Sequence, residues 1–467
     1  MAVHTKHPVA APPTAPIRAT SGHLLLRGWC IFVLAAALAG SAWPLALGIP
    51  ATAVAVVVAG VVSASVWALS RPPVQWRRLP WFALSYVLWA VCSLLWTTHL
   101  AATAATLVLL LVTTMQAVFV GAVLTWRELV RAMASALKWV LGLSLLFELW
   151  VSVVWRGVLL AGFARPDGVV ADGAVVWSHD QLMSGGRIQG IVGDATALAF
   201  LALLGMVVFA VRFASRAPRR TLLAGWFALS AFLFFRAGSA LGWLGAAAVV
   251  LVLATVLVMR TTKRAGERTR YYLVYALIAA AGMLAVWFGR SQIFSFLGRS
   301  TDLDGREGTW ALIAAKALER PVQGWGFATP WPPLDAASVP WVPGIDSALT
   351  QAHSVWLDVL LQLGIVGMAL LALTFFAYVW RSWFFAVDRP RWDLVADRPY
   401  SPVTLVPTLT GAILLVQGVA DSGPIVAGGW LLIVMLAFKI KQAPLLGRGA
   451  SEERLVGEQG ETERVPR

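Results

Sequence analysis

Apolar runs of about 20 residues recur along almost the whole chain, divided by short polar stretches. Coiled as a helix, a run of that length matches the hydrocarbon thickness of a bilayer. Such runs lie near 24–43, 48–69, 81–98, 100–124, 138–155, 191–211, 221–236, 239–259, 271–289, 355–380, 403–420 and 425–438. The pattern predicts an all-α, polytopic transmembrane helical bundle of about twelve spans. Eleven further runs follow the first, so it reads as a retained helix rather than a cleaved signal.

The polar stretches divide the chain further. Residues 1–22 are rich in Pro and Ala and predict a disordered tail, and residues 441–467 predict a flexible one. The transmembrane domain is expected over 23–440, with two long loops at 156–190 and 290–354. With the N-terminus placed in the cytoplasm, inward segments carry 28 of the 37 Lys and Arg residues. This bias predicts a cytoplasmic-membrane protein with both termini inside and both long loops outside. Long ordered loops are disproportionately functional. The working face is therefore expected outside, where ATP is absent and group transfer needs a pre-activated donor.

Composition adds little to this picture. Hydrophobic residues make up 59% of the chain, charged residues 13%, and mean hydropathy is +0.75. A formal charge of +14 would suggest nucleic acid in a soluble protein. Here the inward Lys and Arg explain it through the lipid bilayer, and no nucleic-acid partner is expected. Cys30 and Cys92 lie inside apolar runs and read as small core residues. No HExxH, CxxC or Walker-type loop occurs, so neither metal nor cofactor is expected.

The candidate chemistry lies in and beside the outer loops. Residues 306–320 predict an amphipathic helix stopped by Pro321, with Trp310, Ile313, Ala314, Ala317 and Leu318 on one stripe. Arg306 occupies its first turn, where a cation opposes the helix dipole. Two readings fit: an anion ligand, or a salt bridge to Asp302, Asp304 or Glu307. Arg187 follows two glycines and suits either a phosphate or a snorkelling role. Arg236 and Glu148 lie within apolar helices near the same membrane face, and such groups are expected to pair, with each other as one option, or to line a polar cavity. His353 precedes a membrane helix with Ser354 as N-cap, so the helix's positive end favours a neutral, proton-accepting imidazole. An interfacial histidine bonded to its loop is the plainer alternative. Asp358 points elsewhere on that helix and is a poor partner for the ring. Trp325, Trp331 and Trp341 fit packing better than sugar stacking.

Three stretches in order carry a resemblance. "RIQGIVGDATALAF", "GREGTWALIAAKALERPVQGWGF" and "AHSVWLDVLLQLGIVG" resemble elements of the O-antigen ligase/polymerase superfamily of bacterial membrane glycosyltransferases. The likeness spans roughly 180–380. Departures stand at Ser354 for a usual Asn, at Gln362 for Glu, at Asp194–Ala195–Thr196 for Asn-Pro-Asn, and at Ala240 for Arg. The resemblance implies a GT-C-like fold and metal-independent, inverting glycosyl transfer outside the membrane. The donor would be an undecaprenyl-diphosphate-linked glycan and the acceptor a glycan or lipid hydroxyl. His353 would be the catalytic base, and Arg187, Arg306 and Arg236 would bind the diphosphate. A polymerase of the same superfamily uses the same residues. A lipid-linked oligosaccharide flippase or transporter is the rival of another class. The lack of an internal repeat and of Gly- or Pro-broken helix pairs counts against it.

Overall fold

The computed structural model of the 467-residue chain describes residues 21–72, 74–166, 175–262, 268–275, 277, 281–282, 284, 306–329, 331, 342, 351–388 and 400–442. The expected tails, most of the run near 271–289, and Trp341 with most of its loop lie outside these residues.

The helices in chain order are α1 (Ser21–Leu38), α2 (Ala42–Ser70), α3 (Trp81–Cys92), α4 (Leu100–Val123), α5 (Trp126–Trp150), α6 (Ala195–Ala214), α7 (Arg220–Ala237) and α8 (Ala240–Thr261). Then follow α9 (Arg306–Leu318), α10 (Val355–Val387), α11 (Leu405–Ala420) and α12 (Ala427–Gln442). Among the described residues, eight helices are long and apolar enough to cross a membrane. These are α2, α4, α5 with its extension to Trp155, α6, α7, α8, α10, and α11 counted from Pro402. Shorter apolar helices cover Gly22–Leu38 and Trp81–Leu95. The chain is thus a mostly helical, multi-pass membrane protein. A two-stranded antiparallel ladder, β1 (Leu159–Leu160) and β2 (Val176–Ser178), interrupts the helices.

Sequence sets several helix starts. Thr125 and Glu128 form a reciprocal capping box at the start of α5. That start lies well before the expected 138. The box accounts for it: the polar Trp126–Lys138 stretch is helical but not apolar enough to be read as a span. Asp194 caps α6 by accepting from Ala197 N at 2.6 Å, and Ser239 caps α8 through Gly242 N at 3.2 Å.

Burial sorts the helices into core and rim. α12 is apolar on nearly all sides and buried continuously from Trp430 to Ile440, so it sits inside the bundle against α4. α2 buries only Gly60 and Ser63. Its remaining Val and Ala surface faces outward, as suits lipid contact.

Among the described residues, two α-helices are broken, contrary to expectation. α2 kinks at Gly48 (φ +77°), beside Pro50, and α10 breaks at Gly364 (φ +63°). The second break is built from two strands of backbone that cross. Segment 321–326, following α9, lies against α10 at the break. Trp325 N and Gly326 N donate to the carbonyls of Leu361 and Gln362 at 3.0 and 2.8 Å. Ile365 N donates to Pro321 O at 2.8 Å, and Trp89 Nε1 donates to Leu363 O at 3.0 Å. These bonds replace helix bonds lost at the break, as an apolar surrounding requires. A Cβ on Gly364 would fall 2.2 Å from Val322 O, and one on Gly324 2.4 Å from the Gln362 carbonyl carbon. The Pro-x-x-Gly-x-Gly spacing therefore serves a close backbone crossing.

Candidate active site

The candidate residues gather at one end of the bundle, where α6 and α10 begin and α5, α7 and α11 end. His353 immediately precedes α10. It is half-buried and holds a left-handed backbone (φ +51°) that non-glycine residues rarely adopt. The turn around it is fixed on both sides of Ala352. Asp358 Oδ2 accepts from Ala352 N at 3.2 Å, while Trp310 Nε1 of α9 donates to Ala352 O at 2.9 Å.

Asp358 is fully buried and is the hub of this end. It also accepts from Trp331 Nε1 at 2.8 Å, from Gln362 Nε2 at 3.2 Å and from the Ser422 hydroxyl. One carboxylate thus joins α10, the long loop and the turn after α11. The expectation that it would not orient the His353 ring agrees with these partners. Its grip on the backbone beside His353 went unread, because spacing along a helix does not reveal what folds back over that helix. Ser354 holds the N-cap position with extended backbone, but its side chain makes no capping bond.

Gln351 sets the environment of the imidazole. Its Oε1 accepts from Ser422 N at 3.2 Å, which fixes the amide orientation. Its Nε2 then faces His353 Nδ1 at 3.4 Å. A neutral ring in that contact keeps its lone pair on Nδ1 and its hydrogen on Nε2. Beyond Gln351 lies Asp421, buried just past the end of α11 and bonded by Gln417 Nε2 at 2.6 Å. Burial raises its pKa above the usual carboxylate range, and the Asp194 charge adds to the effect. Gln351, Gln417 and the Gly423 amide favour the charged form in part.

Arg187 and Arg236 are brought together, each with backbone duties. Arg187 is exposed, and its Nε donates to Ala237 O at 3.0 Å, capping the end of α7. Among the described residues its two Nη groups have no protein partner. Arg236 Nη2 donates to Gln181 O and Leu182 O, both at 2.8 Å. Ile188 N returns a bond to Arg236 O at 3.2 Å.

The Glu148–Arg236 ion pair does not form. Fully buried Glu148 instead accepts from Gln189 N (2.9 Å), Gly190 N (2.7 Å) and the Ser178 hydroxyl (3.0 Å). Loop amides and carbonyls satisfy both ions separately, an option that helix positions alone do not disclose.

Arg306 begins α9, and its side chain lies outside the described residues. Ile313 and Ala317 of the expected stripe are buried, whereas Leu318 is 71% exposed because the helix ends there. Ile313, Ala317, Trp331, Val342, Ala352 and Leu361 form a compact cluster that seats α9 beside His353. Trp331 packs within it. Trp325 donates to Lys316 O at 2.9 Å. Lys316 Nζ and Arg320 Cζ lie 3.9 and 4.1 Å from its ring centroid. Both tryptophans therefore have packing roles.

No curated protein matches this chain. Residues 225–372 match the family model described as O-antigen ligase, a stretch that includes Arg236, Arg306 and His353 but not Arg187. That match, over about a third of the chain, supports the resemblance to the O-antigen ligase/polymerase superfamily.

Proposed function

We propose that this protein is a glycan ligase of the outer face of the cytoplasmic membrane. It has a GT-C-like bundle of about twelve spans, with both termini inside. It transfers glycan from undecaprenyl diphosphate to an acceptor hydroxyl, with inversion at the sugar carbon. The observation that carries the reading is His353: a histidine in strained backbone, pinned on both sides of its preceding residue, within the matched O-antigen ligase stretch.

In this reading the acceptor hydroxyl takes the place of the weak Gln351 contact at His353 Nδ1. It gives up its proton there as its oxygen attacks the anomeric carbon. A base so placed contributes roughly 10²–10⁴-fold. The carbon–oxygen bond to the diphosphate breaks, and negative charge grows on the leaving phosphate. Arg187 supplies its two unpartnered Nη groups to that charge, and Arg306 a second guanidinium. Arg236 serves mainly by holding the 181–182 carbonyls, so its diphosphate role is secondary.

The test is transfer by the purified chain from an undecaprenyl-diphosphate glycan. His353→Ala abolishes transfer with donor binding retained, and Arg187→Ala or Arg306→Ala weakens donor binding. Full activity in His353→Ala refutes the base assignment. A ladder of added repeats identifies a polymerase instead of a ligase. Movement of the lipid across vesicles without transfer identifies a flippase.

A further inference from the structure

The opposite end of the bundle carries a cluster of bases that the proposed transfer does not use. α5 and α6 run between the two ends. Glu148 and Arg131 are 17 residues apart on α5, and Asp194 and Arg212 are 18 residues apart across α6. At 1.5 Å per residue each separation is about 25 Å, most of a bilayer core.

At that far end, Arg27 of α1, Arg131 and Lys138 of α5, Arg212 of α6 and Arg219 at the start of α7 converge. α5 packs against α1, α6 and α7, which brings the four helices together. Arg131 and Lys138 are seven residues apart, so they share a face of α5. Arg27 lies within electrostatic reach of Arg131, Arg212 of both, and Lys138 of Arg212 and Arg219. Arg27, Lys138 and Arg212 are half-buried. Among the described residues, the guanidinium groups of Arg27, Arg131 and Arg212 donate no hydrogen bond. Arg216 and Arg219 hold left-handed backbone (φ +55° and +60°) in the turn between α6 and α7.

Among the described residues, the acid within electrostatic reach of Arg27 is Glu128, and it is already engaged. Glu128 bonds His23 Nε2 at 2.7 Å, Thr125 N at 3.1 Å and the Thr125 hydroxyl at 3.0 Å. Among the described residues, these five bases thus face one occupied carboxylate. Partly desolvated like charges of this kind repel, and three bare guanidinium forks match the geometry of phosphate oxygens.

We infer that Arg27, Arg131 and Arg212 form a phosphate-binding site at the membrane face opposite the candidate active site. Its natural occupant is an anionic phospholipid headgroup seated between α1, α5 and α6. Binding there ties three helices together through one ligand, and it is a localised site rather than diffuse attraction to a charged surface.

The test titrates delipidated full-length protein with phosphatidylglycerol, phosphatidylcholine or inorganic phosphate, read by native mass spectrometry and by thermal shift. Phosphatidylglycerol is expected to bind saturably and phosphatidylcholine not to. Affinity should fall about fivefold for each of Arg131→Gln and Arg212→Gln. The charge-keeping Arg131→Lys/Arg212→Lys variant, which loses the forks but not the charge, should bind more weakly than the parent and more tightly than the corresponding double Gln variant. Arg381→Gln, an exposed arginine of α10 outside the cluster, should leave affinity unchanged. If inorganic phosphate binds as tightly as the lipid, the site stands and its ligand is a solute phosphate. An equal loss in Arg381→Gln, or equal binding of phosphatidylcholine, overturns the site. Should the Gln variants unfold, undiminished affinity in the folded Lys variant overturns it as well.

Discussion

Glu148 and Arg236 hold one loop from its two sides without touching each other. The carboxylate takes the amides of Gln189 and Gly190, and the guanidinium takes the carbonyls of Gln181 and Leu182. Arg187 rides on the segment between these anchors. The loop is thereby fixed at the mouth of the bundle although most of it is not regular secondary structure.

This arrangement predicts unequal effects at Glu148. Glu148→Gln keeps an oxygen for both amides, and the Ser178 hydroxyl can reverse to accept from the new NH2. Its melting temperature should stay close to the parent. Glu148→Ala leaves two buried amides unsatisfied, at ~1–3 kcal/mol each. Thermal unfolding in detergent separates the two variants. A large loss in Glu148→Gln would restore the ion-pair reading.

Asp358→Ala should be more damaging than its distance from the reacting atoms suggests. It strands Trp331 Nε1, Ala352 N, Gln362 Nε2 and the Ser422 hydroxyl. A cost of roughly 3–5 kcal/mol is expected for opening a buried network of this kind. Protease accessibility around 351–354 should rise in step. An unchanged melting temperature would refute the hub.

Gly364→Ala and Gly324→Ala should each fail to fold properly. The added Cβ atoms fall 2.2 and 2.4 Å from facing backbone, and both glycines have positive φ. Backbone strain and overpacking together exceed about 3 kcal/mol. Gly225→Ala, whose Cβ meets nothing within 4 Å, is the matched control. Yield of monodisperse protein reports the difference.

Asp421 gives a pH dependence with a defined sign. Its folded pKa is raised, so the folded state binds the proton more readily than the unfolded chain. Stability from this group is fully present below the unfolded carboxylate pKa of about 3.9 and is lost as pH rises through the folded value. Asp421→Asn removes the cost of a buried charge. It should raise the melting temperature at pH 8 and flatten the curve between pH 4 and 8. A variant less stable than the parent at pH 8 would contradict this account.

The sequence by itself determined the class and named the candidate residues. Runs matched to bilayer thickness leave helices as the economical way to satisfy backbone groups in lipid, so the mostly helical bundle follows from hydropathy. The helix at α9, the N-cap position of Ser354 and the candidates Arg187, Arg236 and His353 were legible because caps, stripes and intramembrane charges are local signals. Partners are not local. The carboxylate of Asp358 meets Ala352, Trp331 and Ser422, and the last of these is 64 residues away. Gly364 reads as one more glycine in an apolar run until segment 321–326 is laid across it. Glu148 and Arg236 attract on paper, yet loop backbone reaches each of them first. Only the tertiary structure decided these pairings, because a buried polar group bonds whatever the fold brings within about 3 Å, whatever its place in the chain.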